Sequence, residues 1–280
     1  TDYRGVRHEF GIKREDRRKH FYLLGKTGVG KSTVFKNMFV SDILRGDGAC
    51  MIDPHGELVE ELLDFIPRER IDDVIYFNPT DTEYPVGFNL LELKDKSQRD
   101  LIADGVVEVF KKQFDSWGPR LQYILTNTVA TALEAQGTSL LSVTRILMDS
   151  NYRKFILKQV KDPILVKFWE DEYAQMAQNQ RLISETLSPI QNKVGRFIAS
   201  AVTRNIVGQV KSTIDLREIM DNKKILLVNL AQGKLGEETA SLLGGMIITR
   251  LQSTALERVD IPQDERNDFY LFVDEFQNFA

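Results

Sequence analysis

The residues best suited to chemistry lie near the start of the chain, in the segment GKTGVGKS at positions 25–32. Its glycines let the backbone turn tightly, so that backbone N–H groups point into one concave site for phosphate oxygens. Lys31 can reach the β- and γ-phosphates of a nucleotide, and Ser32 can bind Mg²⁺. The segment therefore predicts a phosphate-binding loop. The predicted nucleotide-binding residues are Gly25, Lys26, Thr27, Gly28, Val29, Gly30, Lys31, Ser32 and Thr33.

The segments on either side of the loop support this prediction. An apolar run at 21–24 predicts a buried strand before the loop, and apolar residues spaced along 34–43 predict a helix after it. The positive end of that helix dipole would point at the bound anion. A glycine-rich turn with an incidental lysine is the alternative, and the flanking strand and helix disfavour it.

A second group of chemically useful residues ends the last apolar run of the chain, where FYLFV is followed by Asp274 and Glu275. Two adjacent carboxylates repel each other and lose hydration in such a place, so a cation or a water molecule is expected opposite them. In an ATPase, Asp274 helps to hold Mg²⁺, and Glu275 orients and polarises the attacking water as a general base. Lys31 and Glu275 are therefore the predicted catalytic residues, with Ser32 and Asp274 as metal ligands.

Another acid follows the predicted strand in MIDPHGE. Because ligands gather at the carboxyl ends of parallel strands, Asp53 is expected near Asn229 and the acidic pair. Asp53 can either support the nucleotide site or cap the DPHG turn, and both interpretations stay open. His55 is interpreted as a turn residue, since one histidine without a partner pattern specifies no chemistry.

Basic residues that could contact DNA are not firmly assigned. A basic run precedes the loop, but Glu15 and Asp16 dilute it, which favours a solvated loop over a phosphate-tracking surface. The run consists of Lys13, Arg14, Arg17, Arg18 and Lys19. For Arg120 and Arg196, each next to a glycine, an ordinary surface position or ion pair is favoured over a contact with a neighbour or a pore.

The composition excludes several classes of protein. Hydrophobic residues make up 42 % and charged residues 28 % of the 280 residues, as in soluble globular proteins. There is no apolar run of about 18 residues that could cross a membrane, and no signal-peptide pattern. The single cysteine, Cys50, excludes intrachain disulfides and cysteine-cluster metal sites, and a reducing cytoplasm is the simplest setting. A net charge of −4 means that nucleic-acid binding would depend on local patches.

Five apolar runs without alternation predict the buried strands of a parallel sheet. They are 21–24, 49–53, 74–78, 225–230 and 269–274. Helical patterns at 32–45 and 56–65 lie between the first three strands, which predicts a three-layer α/β domain. The sequence thus predicts an α/β nucleotide-binding domain of residues 1–96 and 221–280, with residues 97–220 as an inserted all-helical domain.

Five motifs in this order resemble the HerA/FtsK superfamily of P-loop DNA-pumping ATPases, and within it the type IV secretion coupling proteins of conjugative DNA transfer. The motifs are HFYLLGKTGVGKST, MIDPHGEL, WGPR, ILLVNLAQGKLGEETASLLGGMI and FYLFVDEFQNF. The resemblance covers nearly all of the chain and implies a RecA-like nucleotide domain with an inserted all-helical domain. Lys31 and Ser32 match the phosphate-loop lysine and the Mg²⁺ ligand, and Asp274 and Glu275 match the acidic pair.

The resemblance implies Mg²⁺-dependent ATP hydrolysis that moves single- or double-stranded DNA through a homohexameric ring. The expected partners are a membrane secretion channel and relaxase-type DNA-processing proteins. The expected location is the cytoplasm, or the cytoplasmic face of the inner membrane through segments outside this chain. Family members place a sensor glutamine and an arginine that reaches the neighbour's nucleotide after the acidic strand, and these are expected beyond Ala280.

Alternative functions stay open at this point. Many coupling proteins have lysine at the histidine position of DPHG, so a soluble DNA-processing pump of the HerA type is one alternative. A protein-secretion or pilus-assembly ATPase is another, because a sequence does not reveal what passes through a ring. A GTPase is disfavoured, since neither NKVG at 192–195 nor NKKI at 222–225 supplies the aspartate of N-K-x-D. A non-enzymatic scaffold would not need both Lys31 and Glu275.

Overall fold

The computed structural model of the protein describes residues 2–3, 6–7, 11–26, 28–112 and 117–279. Two short strands near the start, β1 (Asp2–Tyr3) and β2 (Val6–Arg7), pair antiparallel. The central sheet has four parallel strands, which are β3 (Gly48–Asp53), β4 (Val74–Phe77), β5 (Ile225–Asn229) and β6 (Phe269–Val273). Across the sheet they follow the order β4–β5–β3–β6. The predicted α/β class with a mainly parallel sheet is confirmed.

Helices connect the strands of this sheet. Those before β4 are α1 (Arg14–Arg17), α2 (Lys31–Leu44) and α3 (Glu57–Leu63). Those between β4 and β5 are α4 (Arg99–Lys111), α5 (Pro119–Glu134), α6 (Leu140–Met148), α7 (Ser150–Leu157), α8 (Pro163–Lys167), α9 (Ala174–Gln178), α10 (Gln180–Ile190), α11 (Arg196–Ala199), α12 (Ala201–Val207) and α13 (Leu216–Asp221). α14 (Gln232–Leu235) and α15 (Glu237–Glu257) lead from β5 to β6.

The sheet is covered on both faces because successive side chains of a strand point to opposite sides. On one face, Met51 of β3 shares a core with buried residues of α2 and α3, among them Phe39 and Leu62. On the other face, Ile52 shares a core with α4, α5 and α15. The three layers that result hold the carboxyl ends of β3, β5 and β6 in fixed register.

The segment from 97 to 220 is helical wherever the structure describes regular elements in it. Its buried side chains belong to the same hydrophobic cluster as Ile52 and Val228 of the sheet. The helical segment is therefore packed on one face of the sheet, and the bounds 97 and 220 of a separate domain stay a prediction. Within the described parts of the chain, no helix is both long enough and apolar enough to cross a bilayer.

The strand predicted at 21–24 is wrong. Residues 20–26 form no regular structure, and Phe21, Tyr22 and Leu24 are exposed by 54 %, 70 % and 76 %. A strand needs a hydrogen-bonding neighbour, and between the described residues no backbone hydrogen bond joins this segment to β6, whose outer edge has no partner strand. The apolar run therefore stays outside the sheet.

We expect the substitution Gly56→Ala to destabilise the fold strongly. Gly56 has φ +93°, and an added Cβ would lie 2.2 Å from Oδ1 of Asn229. Backbone strain and overpacking together should lower the free energy of unfolding by about 2–4 kcal/mol, which urea denaturation can measure. Gly233→Ala is the matched control, since nothing lies within 4 Å of its Cβ position. Equal losses in the two variants would contradict this account.

Candidate nucleotide site

The sequence-predicted site residues converge on one edge of the sheet. Asp53 pairs in register with Asn229, which places the carboxyl ends of β3 and β5 side by side. The N–H of Asp274 donates to the carbonyl of Ile52 at 3.0 Å and so continues the pairing of β6 with β3. Three acidic or amide side chains from three strands therefore meet at this edge, with Glu275 next in the chain.

The loop from Gly25 to Gly30 has the backbone that its glycines predict. Gly28 and Gly30 adopt left-handed φ values of +83° and +94°, which side chains rarely tolerate. A Cβ on Gly25 would lie 2.7 Å from Cγ2 of Val29, so the loop closes tightly on itself. α2 begins at Lys31 directly after the loop, and the positive end of its dipole faces it. Thr27, also predicted to bind nucleotide, lies outside the described residues.

Lys31 points into the loop. Its Nζ donates to the carbonyls of Gly25 at 3.0 Å and of Lys26 at 3.2 Å. The positive charge of Lys31 also acts to lower the pKa of Asp274. The ammonium group is thus held inside the loop that is predicted to bind the phosphates. Ser32 and Thr33 follow in the exposed first turn of α2.

Asp274 is the nearly buried member of the acidic pair, being 9 % exposed. Burial raises its pKa above the ordinary value, and the nearby charges of Asp53 and Glu275 raise it further. The N–H of Glu275, which donates to Oδ1 of Asp274 at 3.0 Å, and the charge of Lys31 act in the opposite direction. The arrangement has unbalanced negative charge and would be stabilised by a cation.

Glu275 occupies a strained backbone position. Its φ of +47° is left-handed, which costs a residue other than glycine roughly 1–2 kcal/mol. Its carboxylate accepts a hydrogen bond from the side-chain amide of Gln277. Strain of this kind persists where the surrounding structure enforces it, often at functional sites. Gln277 was missed by the sequence reasoning, although an amide two residues after the acidic pair was a visible signal.

The donors at this edge fit Mg²⁺. This cation takes oxygen ligands and keeps several waters when it is bound to nucleotide phosphates, so one carboxylate and one hydroxyl are a sufficient protein share. Asp274 and Ser32 offer that share, and their role as ligands stays a prediction. In the described part of the chain, no group of three or more His, Cys, Asp or Glu side chains could hold a metal by itself.

The raised pKa of Asp274 makes a pH-dependent prediction. The pKa of Asp274 in the folded protein lies above its unfolded value of 3.8. The carboxyl group therefore costs the fold no stability below pH 3.8, and the fold loses stability as the pH rises through the folded pKa. Asp274→Asn removes this loss and keeps the acceptor for the N–H of Glu275. We therefore expect a higher melting temperature than that of the unmodified protein at pH 7, with the difference shrinking towards about pH 4. Thermal unfolding in EDTA without nucleotide measures it.

The control for this experiment is Glu69→Gln, which removes one exposed carboxylate in the connection between α3 and β4. It should leave the melting temperature nearly unchanged at both pH values, since surface substitutions have small effects. A melting temperature of Asp274→Asn that is lower than that of the unmodified protein at pH 7 would contradict the assignment of an unbalanced charge.

Asp53 caps the turn that follows β3. Its carboxylate accepts hydrogen bonds from the N–H groups of His55 at 2.8 Å, Leu58 at 2.8 Å and Val59 at 3.3 Å. It is buried and also raises the pKa of Asp274. The two interpretations left open by the sequence are therefore compatible. His55 is exposed at the tip of the turn, as expected of a turn residue.

Asn229 holds the edge of the sheet together. Its Nδ2 donates to the hydroxyl of Tyr76 at 3.0 Å and to Oε1 of Glu60 at 3.3 Å, and its Oδ1 accepts from the N–H of Ala231 at 2.9 Å. The sequence gives no sign of the role of Tyr76 or Glu60, because each is recognised only by its contact with Asn229. The amide fixes the start of the connection to α14.

The basic run before the loop is not the solvated loop that its sequence favours, because 14–17 form α1 and most of its cations are paired within the fold. These ion pairs leave a phosphate-tracking surface disfavoured. Four of its five members form ion pairs, and those of the three arginines tie this segment to α2 and to the residues just before β3 and β6. The pairs are Arg14 with Asp47 and Asp268, Arg17 with Asp42, Arg18 with Asp268, and Lys19 with Asp16.

Arg120 and Arg196 lie on the surface. Arg120 is exposed in the first turn of α5. Arg196 is 77 % exposed, and its Nη1 lies 3.4 Å from Oε2 of Glu238 in the first turn of α15. Lys193 contacts the same carboxylate at 3.4 Å. Such exposed pairs contribute about 0–1 kcal/mol, which agrees with the ordinary role expected of both arginines.

Comparison with solved structures shows a fold shared with conjugative coupling proteins. The unbound coupling protein TrwBΔN70 matches with a TM-score of 0.57 and 15 % identity, over 91 % of this chain and 55 % of that one. TrwB bound to the non-hydrolysable ATP analogue ADPNP matches with a TM-score of 0.55 and 16 % identity, over 91 % and 56 %. TrwB bound to the non-hydrolysable GTP analogue GDPNP matches with a TM-score of 0.54 and 15 % identity, over 91 % of this chain and 56 % of that one. The chain thus spans about half the length of these proteins, and its fold is RecA-like.

Comparison at the level of sequence gives the family. No curated protein matches the chain. The family model described as the type IV secretion-system coupling protein DNA-binding domain matches residues 9–279. This match includes the phosphate loop, the whole helical segment and the acidic strand. The chain belongs to the family of type IV secretion-system coupling protein DNA-binding domains.

Proposed function

We propose that this protein is an Mg²⁺-dependent ATPase that moves DNA, acting as the motor of a type IV coupling protein. The observation that carries the proposal is that α2, which begins at Lys31, packs on β6, which ends just before Asp274 and Glu275; the ring centres of Phe35 and Phe272 lie 6.0 Å apart. A phosphate cradle alone binds a nucleotide. A phosphate cradle opposite an acidic pair can also activate water, so the arrangement supports hydrolysis.

The residues divide the work of hydrolysis. The loop N–H groups and the α2 dipole bind the phosphates, and Lys31 neutralises charge that develops on the γ-phosphoryl group. Mg²⁺ supplies charge neutralisation and orientation of the β- and γ-phosphates when it is bound, with Ser32 and Asp274 as its protein ligands. Glu275 orients the attacking water and accepts its proton, and Gln277 holds one oxygen of that carboxylate in place.

The solved relatives support nucleotide binding but not a choice of base. TrwB is described in complex with an ATP analogue and with a GTP analogue. For this chain we propose ATP as the nucleotide, a homohexameric ring as the active assembly, and DNA as the substrate. A secretion channel and relaxase-type proteins are its proposed partners, at the cytoplasmic face of the inner membrane.

The test is the ATPase rate of the full-length protein with no polymer, with single-stranded DNA, with double-stranded DNA and with a protein substrate of the secretion system. Stimulation by DNA is the expected result, because a motor hydrolyses ATP fastest while it has a substrate to move. Stimulation by the protein alone would overturn the proposal and favour a protein-secretion or pilus-assembly ATPase. Stimulation by DNA in the absence of any membrane component would favour a soluble DNA-processing pump of the HerA type over a membrane-associated coupling protein.

A further inference from the structure

The two crossings between the sheet and the helical segment are joined to each other. Residues 86–92 lead from β4 towards α4, and residues 206–213 lead from the end of α12 back towards α13 and β5. The N–H of Thr213 donates to the carbonyl of Gly87 at 2.9 Å, and the N–H of Gly87 donates to Oγ1 of Thr213 at 3.0 Å. These reciprocal hydrogen bonds make one unit of the two crossings, and we call residues 86–92 and 206–213 the neck.

Asn89 is the central residue of the neck. Residues 87–91 are buried but belong to no helix or strand, so their backbone groups need other partners. Asn89 is 2 % exposed, and its Nδ2 donates to the carbonyls of Val210 at 3.0 Å and of Thr138, between α5 and α6, at 2.9 Å. Its Oδ1 accepts from the N–H of Leu91 at 2.9 Å. Because a satisfied buried network is rigid, the neck is locked to the helical segment and moves with it.

α15 contacts the neck through Arg250. Nη2 of Arg250 donates to the backbone carbonyl of Glu92 at 3.3 Å. The side chain of the same Glu92 accepts from the N–H of Ser212 at 2.9 Å through Oε2. Glu92 therefore links α15 to both crossings, because its backbone receives the guanidinium and its carboxylate receives the returning crossing.

The guanidinium of Arg250 is poorly satisfied for a partly buried cation. In the part of the chain that the structure describes, its Nη1 is buried and makes no hydrogen bond. Burial lowers the pKa of Arg250, although the charges of Glu257 and Glu92 act to raise it. An unpaired buried N–H costs about 1–3 kcal/mol, and an apolar side chain of similar length would avoid that cost. Stability therefore does not explain this arginine, and the contact that it makes with the neck does.

The other end of α15 holds the loop after Glu275. Oγ of Ser241 donates to the carbonyl of Asn278 at 2.5 Å. Ser241 and Arg250 lie roughly 14 Å apart along one continuous helix. Residues 242–247 between them are all buried. Because a close-packed interior transmits strain, a shift of the loop reaches the guanidinium through the helix.

We propose that Arg250 is a positioning residue that couples the nucleotide edge, the sheet edge that carries the candidate site, to the helical segment. When a nucleotide shifts the loop after Glu275, α15 carries the shift to Glu92, and the locked neck moves both crossings together. The proposal rests on nucleotide binding in the proposed function, and adds the residue through which the helical segment responds to it.

The test is hydrogen–deuterium exchange of the full chain, followed by mass spectrometry with and without the ATP analogue ADPNP and Mg²⁺. In the unmodified protein, the analogue should slow exchange in the loop at 25–33 and change the exchange rates of neck amides by about threefold or more. Arg250→Met removes the guanidinium and keeps an unbranched side chain. This variant should keep the change at the loop and lose the change at the neck. Its melting temperature should equal or exceed that of the unmodified protein, because the unpaired N–H is gone.

Glu92→Ala tests the other half of the contact. It keeps the carbonyl that accepts from Arg250 and removes the carboxylate that accepts from Ser212. The analogue should still change exchange at 86–92 and no longer change it at 206–213. An undiminished response at 206–213 would overturn the role of Glu92 as the link to the returning crossing.

Arg204→Met is the matched control. Arg204 is exposed in α12 beside the neck, and its Nη1 donates to the carbonyl of Ala199 at 3.1 Å. The control therefore removes the same charge and also one hydrogen bond to a backbone carbonyl. Its exchange should match that of the unmodified protein at the loop and at the neck. An equal loss of the neck response in Arg204→Met and Arg250→Met would overturn the proposal.

The outcomes separate this coupling from the proposed function. If the analogue leaves exchange of the loop unchanged in the unmodified protein, nucleotide binding fails and the coupling fails with it. If the loop is protected and the neck does not respond, or responds equally in Arg250→Met, only the coupling is overturned. Faster neck exchange in Arg250→Met without nucleotide, together with a lower melting temperature, would give Arg250 a purely structural role and would also overturn the proposal.

Discussion

Glutamine in place of Glu275 should lower the rate of ATP hydrolysis by about 10²–10⁴-fold and leave nucleotide affinity within about threefold, as expected when a general base is removed and its shape is kept. The amide cannot accept the proton of the attacking water. It can still accept a hydrogen bond from Gln277, so the strained loop at φ +47° should keep its geometry. Hydrolysis is followed by phosphate release, and binding by a fluorescent ATP analogue.

The control for Glu275 is Glu265→Gln. Glu265 is exposed in the connection that precedes β6, so its replacement makes the same charge change at the opposite end of that strand. Its hydrolysis rate should match that of the unmodified protein. Hydrolysis retained by the Glu275→Gln variant would remove Glu275 from the mechanism and direct attention to Asp274 as the base.

Alanine in place of Lys31 should weaken nucleotide binding by at least about 100-fold, which corresponds to about 2.7 kcal/mol. The ammonium group of Lys31 is held inside the loop by two carbonyls, and its charge acts to lower the pKa of Asp274. Without it, the γ-phosphate would approach the acidic edge with one fewer positive charge to balance the repulsion. Titration of the fluorescent analogue in the presence of Mg²⁺ measures the loss.

Lys26→Ala is the matched control on the same loop. Lys26 carries the same charge, but only its backbone is expected to face the phosphates, and its carbonyl still accepts the hydrogen bond from Lys31 in the variant. Its nucleotide affinity should change by less than about threefold, as for an exposed charge near a site. Comparable losses in the two variants would show that general positive charge, and not the position of Lys31, governs binding.

Much of this site was predictable because its chemistry is encoded locally. The phosphate loop needs glycines at fixed positions followed by lysine, and Gly28 and Gly30 adopt the left-handed backbone that only this residue type tolerates freely. Asp274 and Glu275 are recognisable because carboxylates rarely end a buried strand without a purpose. The packing of α2 on β6, with the ring centres of Phe35 and Phe272 6.0 Å apart, then joins the two parts of the chain across more than two hundred residues.

The parts that were not predictable depend on partners that are distant in the sequence. The apolar run at 21–24 has strand character, but strand formation is decided by a neighbouring strand and not by the run itself. The basic run before the loop is neutralised through Asp268, about 250 residues further along the chain. Asp53 could not be assigned from sequence, because a capping role and a supporting role both require a carboxylate after a strand.

α15 gives the nucleotide edge a mechanical connection to the helical segment. Near its start, Gly244 receives the ring of Phe279, so closely that a Cβ there would lie 2.2 Å from Cε1. Further along, Gly105 of α4 approaches Thr249 so closely that a Cβ would lie 2.6 Å from Cγ2. A packed helix of 21 residues is a stiff rod of about 31 Å. Movement of the loop after Glu275 would therefore displace α15 or open a void, so in the proposed motor α15 would transmit that movement to the helical segment.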